Sequence, residues 1–229
     1  MLRLKSKHRI KCGDSTSEAD VADLMDGAKA DMVFTDPPYG IEYDDRVKIS
    51  KKNTTSMRPS NLGSIIGDDK TDYFKKIFNK DIKEQFWWGS NYYCWDLPKG
   101  GSWLVWSKKT KEQRQNKMFF NSDFELCWSK EKHRIKLFET IWTGAINKEK
   151  GEKRLHPTQK PINLILNFFD EWGGNKKIIL DYFLGSGSTL IACEKTERRC
   201  FGMEIDIKYI NVILKRYSDY CNGTIVKEP

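Results

Sequence analysis

The 229-residue sequence has no C-x-x-C pair, only three histidines, and no apolar window of the roughly 18 residues that a membrane-spanning helix needs. Its six cysteines (Cys12, Cys94, Cys127, Cys193, Cys200, Cys221) and its histidines (His8, His133, His156) are dispersed. That scatter argues against a zinc site and for thiols kept reduced in a cytosol. The basic start, MLRLKSKHRIKCGD, lacks the apolar stretch of a secretory signal. Internal repeats and low-complexity tracts are missing as well. These absences leave a cytoplasmic chain, expected to fold as one α/β domain over residues 1–229, with no metal ion and no membrane partner.

What the chain has in excess is positive charge, a formal net of +8. The excess is clustered. Arg46, Lys48, Lys51, Lys52 and Arg58 lie in the stretch 46–64, which has no acidic residue. Lys108, Lys109, Lys111, Arg114 and Lys117 follow between 107 and 118, with Glu112 alone against them. The stretch 130–154 is also basic on balance. Basic segments in expected loops fit a nucleic-acid partner better than uniform solubilising charge does. Residues 42–64 are polar, with few groups able to pack, and read as a mobile loop insertion.

The hydrophobic pattern alternates strands with helices. Strands are predicted at RIKCGD, ADMVFTD, GSWLVWSK, FELCWSK, KKIILDYF and RCFGMEID. Helices are predicted at TSEADVADLMDG, capped by Thr16 or Ser17, at Thr71–Gln85, at PINLILNFFDEW with Pro161 in its first turn, at STLIACEKT and at KYINVILKRYSDYC. This order implies a doubly wound, mostly parallel sheet, whose ligands sit beyond the carboxyl ends of the strands. Asp14, Asp36–Tyr39 and Asp181–Thr189 all fall at such ends.

IILDYFLGSGSTLIAC reads as strand, glycine-rich turn and helix, offering backbone N–H groups to a polar ligand. A triphosphate loop would end in Gly-Lys-Ser/Thr, whereas Gly187 precedes Ser188 and Thr189. A dinucleotide loop would want a third glycine where Leu190 stands. S-adenosylmethionine, which has no phosphates, is the third cofactor class such a turn serves. Glu204, 17 residues after Gly187 at the end of the next strand, suits the two hydroxyls of a ribose.

In MVFTDPPYGIEY, Pro37 and Pro38 remove two N–H donors and stiffen an extended segment that presents carbonyls and the Asp36 carboxylate. Acceptors without donors suit an amine on a flat ring, and Tyr39 offers that ring a stacking face. The ordinary alternative is a strand-ending turn.

DPPY, LDYFLGSGST and LHPTQKP together resemble the amino-group DNA methyltransferases that use S-adenosylmethionine. Their order, with the catalytic motif about 145 residues ahead of the cofactor loop, is similar to that of the permuted (beta) class. WGSNYYCWDLP, SDFELCWSK and IWTG resemble its phage-like adenine methyltransferases. The resemblance implies a Rossmann-like methyltransferase fold with permuted motif order. It implies that Asp36 and the carbonyls of Pro37 and Pro38 hold the target amine, and that Tyr39 stacks on a base flipped out of double-stranded DNA. Asp181, Phe183, Gly185, Gly187 and Ser188 would surround the methionine part of the cofactor, and Thr158 and Lys160 would anchor its carboxylate. His156 would shape the cofactor-side turn, Glu204 would take the ribose hydroxyls, Ile205 would pack on the adenine ring and Asp14 would meet its amino group. An aspartate opening the motif favours adenine N6, with cytosine N4 and an idle DNA-binding module that retains the fold as alternatives. Residues 130–154 would form a short target-recognition segment, so recognition would be loose, shared with the 46–64 stretch, or supplied by the second copy in a homodimer. A restriction enzyme could accompany the activity.

Overall fold

The computed structural model describes residues 2–4, 8–41, 65–70, 72–115, 122–142 and 155–221. The lysines and arginines of 46–58, the loop 42–64, Lys117 and residues 143–154 lie outside them.

Strands β1 (Leu2–Arg3) and β2 (Arg9–Cys12) precede helix α1 (Glu18–Met25). Ser17 caps α1, its Oγ accepting from the Asp20 N–H, and the chain leaves through Asp26 and Gly27 in the left-handed region. Next come β3 (Met32–Thr35), α2 (Tyr73–Ile77), β4 (Glu84–Trp88), β5 (Ser102–Ser107), α3 (Lys111–Gln115), β6 (Phe124–Ser129) and β7 (Lys136–Glu139). The chain then forms α4 (Ile162–Trp172), β8 (Ile178–Asp181), α5 (Ser188–Lys195), β9 (Arg199–Glu204) and α6 (Ile207–Tyr220).

The nine strands form one sheet in the order β1-β2-β9-β8-β3-β4-β6-β5-β7. Pairing is parallel from β2 through β4 and between β5 and β7; β1 and β6 run antiparallel to their neighbours. The doubly wound, mostly parallel sheet expected from the sequence is therefore present. The side-chain period of two divides the core cleanly. Met32 and Phe34, with Phe86 and Trp88, face α4, α5 and α6, while Val33 and Trp87 face the side of α1 and α2.

Two expectations need correction. The stretch 71–85 is not one helix: α2 has five residues, and Glu84 and Gln85 open a strand. The reason is burial. Phe86, Trp87 and Trp88 are fully enclosed, and only an extended chain shares three consecutive rings between both faces of a sheet. Gln85 secures the change by donating to the carbonyls of Asn79 (2.5 Å) and Ile82 (2.6 Å). Pro161, expected in the first turn of α4, is its extended cap residue (φ −65°, ψ 142°). In addition, the expected recognition segment gives β7 to the sheet, parallel to β5.

Helix α4 buries Leu164, Ile165, Phe168 and Phe169 along one stripe. The Phe168 ring lies 4.6–5.4 Å between centroids from Phe34, Phe86, Trp88, Phe138 and Trp172. Replacing Phe168 by alanine is therefore expected to lower unfolding free energy by about 3–5 kcal/mol in urea titration, and a loss below about 1 kcal/mol would contradict this packing.

Candidate active site

Strand order reverses between β3 and β8: the chain passes from β3 outward to β4, and from β8 the other way to β9. A reversal of this kind opens a crevice at the carboxyl ends of the strands. Thr35 and Asp181 meet there, with the Thr35 Oγ1 donating to Asp181 Oδ1 at 3.1 Å and accepting from the Tyr182 N–H at 3.2 Å. Asp181 also accepts from the Phe183 N–H (3.1 Å) and from Thr189 Oγ1 (2.6 Å). Burial pushes its carboxyl up to about 6 against these bonds. The aspartate thus closes the turn that leads into α5, and Gly187, with φ of 83°, supplies the left-handed residue that caps the helix.

Glu204 lies across that turn at the end of β9. Its Oε2 accepts from the Gly185 N–H and its Oε1 from the Asp206 N–H, both at 2.9 Å. Burial raises its carboxyl to about 7, with the two backbone bonds opposing. Gln159 joins the HPTQKP segment to the same turn, its Oε1 accepting from the Leu155 N–H (2.8 Å) and from Ser186 Oγ (3.0 Å). Arg216 of α6 donates to the Ser186 carbonyl (3.0 Å) and Ser188 Oγ (3.1 Å). His156 packs its ring on Tyr209 at 4.4 Å and accepts from the Thr158 N–H at 3.2 Å, which fits a residue that shapes a turn.

On the β3 side, Asp68 Oδ1 accepts from the N–H groups of Tyr39 and Gly40, each at 3.1 Å, and so fixes the DPPY turn. The Tyr39 ring lies against Gly89, where any Cβ would sit 1.9 Å from a ring carbon. Tyr92 stacks on Tyr39 with centroids 4.9 Å apart and planes 14° off parallel. The Tyr39 hydroxyl donates to Asp36 Oδ1.

Asp36 belongs to a buried row of alternating charge. Lys160 Nζ lies 2.5 Å from Asp36 Oδ2, 2.5 Å from Glu125 Oε1 and 3.3 Å from the Tyr39 oxygen. Its three N–H donors therefore have three acceptors. Lys108 Nζ meets the other oxygen of Glu125 at 2.5 Å. Burial disfavours the Lys160 cation, but Asp36 and Glu125 together hold its proton more tightly than usual. Burial also works against ionised Glu125, and Lys108 and Lys160 overcome it, holding the carboxyl at about 2. Asp36 has one lysine to Glu125's two, and burial leaves its carboxyl above the ordinary value. The like charge of Glu125 adds to that rise.

One cavity of about 610 Å³ is lined by Asp36, Pro37, Pro38 and Tyr39 and also by Asp181, Gly185, Glu204 and Ile205. Asp14, His156, Thr158, Lys160, Phe183 and Ser188 line it too, so among the candidate catalytic and cofactor residues only Gly187 stands behind the wall. Lys160, expected at the cofactor carboxylate, is placed on Asp36 and Glu125 instead.

Lys108, Lys109 and Arg114, expected to meet DNA, each have a partner within the protein, while Lys111 is exposed. Lys108 is paired with Glu125. Lys109 is 3% exposed with its Nζ on Asp123 at 2.8 Å, and Arg114 donates to Ser107 Oγ and the Lys109 carbonyl at 2.7 Å each. The β5–β6 register sets Ser107 opposite Phe124 and Trp106 opposite Glu125, bringing the acids of β6 beside the lysines. Residues that sequence reasoning missed are Glu125, Asp68, Tyr92, Gln159 and Arg216. Gln159 and Tyr92 lie within LHPTQKP and WGSNYYCWDLP, and Glu125 left a trace as the one charged residue in the apolar run FELCWS.

Residues 66–215 match the DNA methylase family of N6 and N4 enzymes, and the chain belongs to it. The type II methyltransferase M2.MboI of Moraxella bovis is 26% identical over 82% of this chain and 81% of its own length. M2.DpnII of Streptococcus pneumoniae is 30% identical over 49% of this chain and 40% of its own. Among solved structures, M1.HpyAVI in complex with SAM superposes with a TM-score of 0.53 at 21% identity, covering 91% of this chain and 98% of that one. The cytosine-N4-specific PvuII DNA methyltransferase superposes with a TM-score of 0.57 at 15% identity, covering 91% and 85%. Both structural likenesses bear on the fold.

Lys160→Met would leave Asp36 and Glu125 as buried like charges. A stability loss of about 3–5 kcal/mol at pH 7.5 is expected in urea titration. Asp36, left without its cation, would then bind its proton more tightly folded than unfolded, while Glu125 keeps Lys108, so the destabilisation is present above the folded pKa of Asp36 and shrinks as pH falls. Recovery of part of the loss at pH 5 is the expected result; a loss that does not depend on pH would contradict the charge row.

Proposed function

We propose that the protein transfers the methyl group of S-adenosylmethionine to the exocyclic N6 of an adenine flipped out of double-stranded DNA, directly and in line. One observation carries the reading: the Asp36 carboxylate and the Glu204-bound glycine turn line the same cavity across the β3/β8 crevice. Membership of the DNA methylase family supports it. The type II methyltransferases among the relatives suggest a restriction–modification setting. Among the described residues no helix is long and apolar enough to cross a membrane, which is compatible with a cytoplasmic location.

Glu204 would accept from the ribose hydroxyls with the lone pairs its two backbone bonds leave free, and Ile205, 47% exposed, offers its side chain to the adenine ring. Phe183 and Thr158 line the same cavity. Bound there, the cofactor supplies a methyl group already activated by a sulfonium. The base amine is a poor nucleophile because its lone pair is delocalised into the ring. Asp36 and the carbonyls of the proline pair accept from the amine and favour the pyramidal nitrogen on which the lone pair is available. Asp36 would take the proton that the amine gives up as it gains the methyl group, the sulfur leaving as a neutral thioether. Tyr92 already stacks on one face of Tyr39, and a base taking that face would exchange a ring pair worth about 0.5–1.5 kcal/mol for a base stack worth about 1–3 kcal/mol.

The direct test is mass spectrometry of nucleosides from DNA incubated with the protein and methyl-labelled cofactor. N6-methyladenine is the expected product; N4-methylcytosine would change the target, and no labelled base would overturn the reading. Asp36→Ala is expected to lower turnover by about 100-fold or more while cofactor affinity stays within about threefold. Cofactor affinity should also fall on acidification, because hydroxyl donors need an ionised Glu204. With a carboxyl near 7, the loss at pH 6 relative to pH 8 is about tenfold, measured as the difference from Glu204→Gln. Identical profiles for the two proteins would refute that role.

A further inference from the structure

Two carboxylates buried around one lysine repel each other, so the second calls for a reason. Glu125 enters from β6, with its side chain 11% exposed. One of its oxygens meets Lys160 at 2.5 Å and the Tyr39 hydroxyl at 3.1 Å, and the other meets Lys108 at 2.5 Å. Asp36 alone could satisfy a lysine, and an apolar residue could fill the space. What Glu125 changes is how the Lys160 charge is divided.

With no cation beside it, buried Asp36 would hold a proton and could not accept from a base amine. With Lys160 to itself, Asp36 would be ionised, but its acceptor strength would be spent on the ammonium. We propose that Glu125 is a positioning residue of the transfer site: it fixes Lys160 and draws off part of its charge, so that Asp36 stays ionised yet accepts strongly from the incoming amine. Lys108, on the far oxygen of Glu125, limits that withdrawal. The role rests on the methyl-transfer reading above, and it gives Lys160 a structural duty on the base side of the cavity.

The electrostatic surroundings of Asp36 are few enough to test. Lys160, Glu125 and the Tyr39 hydroxyl face it directly, and Asp181 of β8 and Asp36 feel each other's charge. Burial holds Tyr93 and Cys127 neutral nearby. Since Asp181, Tyr93 and Cys127 are common to every variant, differences between variants report on the charge row.

The experiment is the pH profile of kcat/KM for DNA in the wild type, Glu125→Gln, Glu125→Asp and Lys108→Gln, with cofactor affinity and circular dichroism as controls. Glu125→Gln removes a negative charge and should move the acid limb to lower pH while lowering kcat by about 10–100-fold. Lys108→Gln removes a positive charge and should move the acid limb the other way. Glu125→Asp should recover part of kcat, and cofactor affinity should stay within about twofold throughout. Loss of rate with both acid limbs unmoved would reduce Glu125 to scaffolding and overturn the proposal, as would an unchanged Glu125→Gln. Should Glu125→Gln fail to fold, the upward shift in Lys108→Gln decides alone. A wild type that transfers no methyl group would instead remove the reading on which the role rests.

Discussion

The site depends on keeping four charges ionised where water is scarce. Lys108, Glu125, Lys160 and Asp36 alternate in sign and sum to zero, each charge within 2.5 Å of the next. They come from four places: just past the end of β5, the start of β6, the segment ahead of α4 and the turn after β3. Taking Lys160 away leaves Asp36 without a cation in the protein interior, a loss of about 3–5 kcal/mol. The row therefore locks the antiparallel β5–β6 part of the sheet to the parallel part. It also sets the Lys160 cation beside Asp36 at the cavity wall, opposing the burial that raises its carboxyl.

The other half of the site is built from backbone. Thr35 and Asp181 tie β3 to the start of the glycine turn, and Glu204 is held by two N–H groups, one of them from that turn. Gln159 and Arg216 pin the turn from outside. These contacts are all made within the protein, so the glycine turn is held by the chain's own groups. The two halves meet because the strand order reverses between β3 and β8, which turns a sheet edge into a crevice. Chemistry that needs a carboxylate and a methyl donor on opposite sides of one base can use that crevice without a large movement of the sheet.

Much of this was readable from the sequence because its signals are local. A proline pair after an apolar strand, a glycine turn before a helix and a carboxylate ending the next strand each follow from a few residues, and the structure gathers them around one cavity. Reading failed where the outcome depended on distant partners. The run before Trp87 looks helical until Phe86, Trp87 and Trp88 must be shared between two faces of a sheet. Lys108, Lys109 and Arg114 look like a phosphate patch until the β5–β6 register sets Asp123 and Glu125 beside them. Asp68 gave no signal, because its task is to accept from backbone groups more than 25 residues away. Lys160 stood out in its motif, and only the fold brings it to Asp36.

A crystal structure with S-adenosylhomocysteine bound tests the account most directly, since it shows both halves of the site at once. The account predicts the ligand in the cavity beside Glu204 and the glycine turn, with Lys160 Nζ still within about 3.2 Å of both Asp36 and Glu125. A Lys160 swung away onto the ligand carboxylate, or a ligand bound outside the crevice, would contradict it.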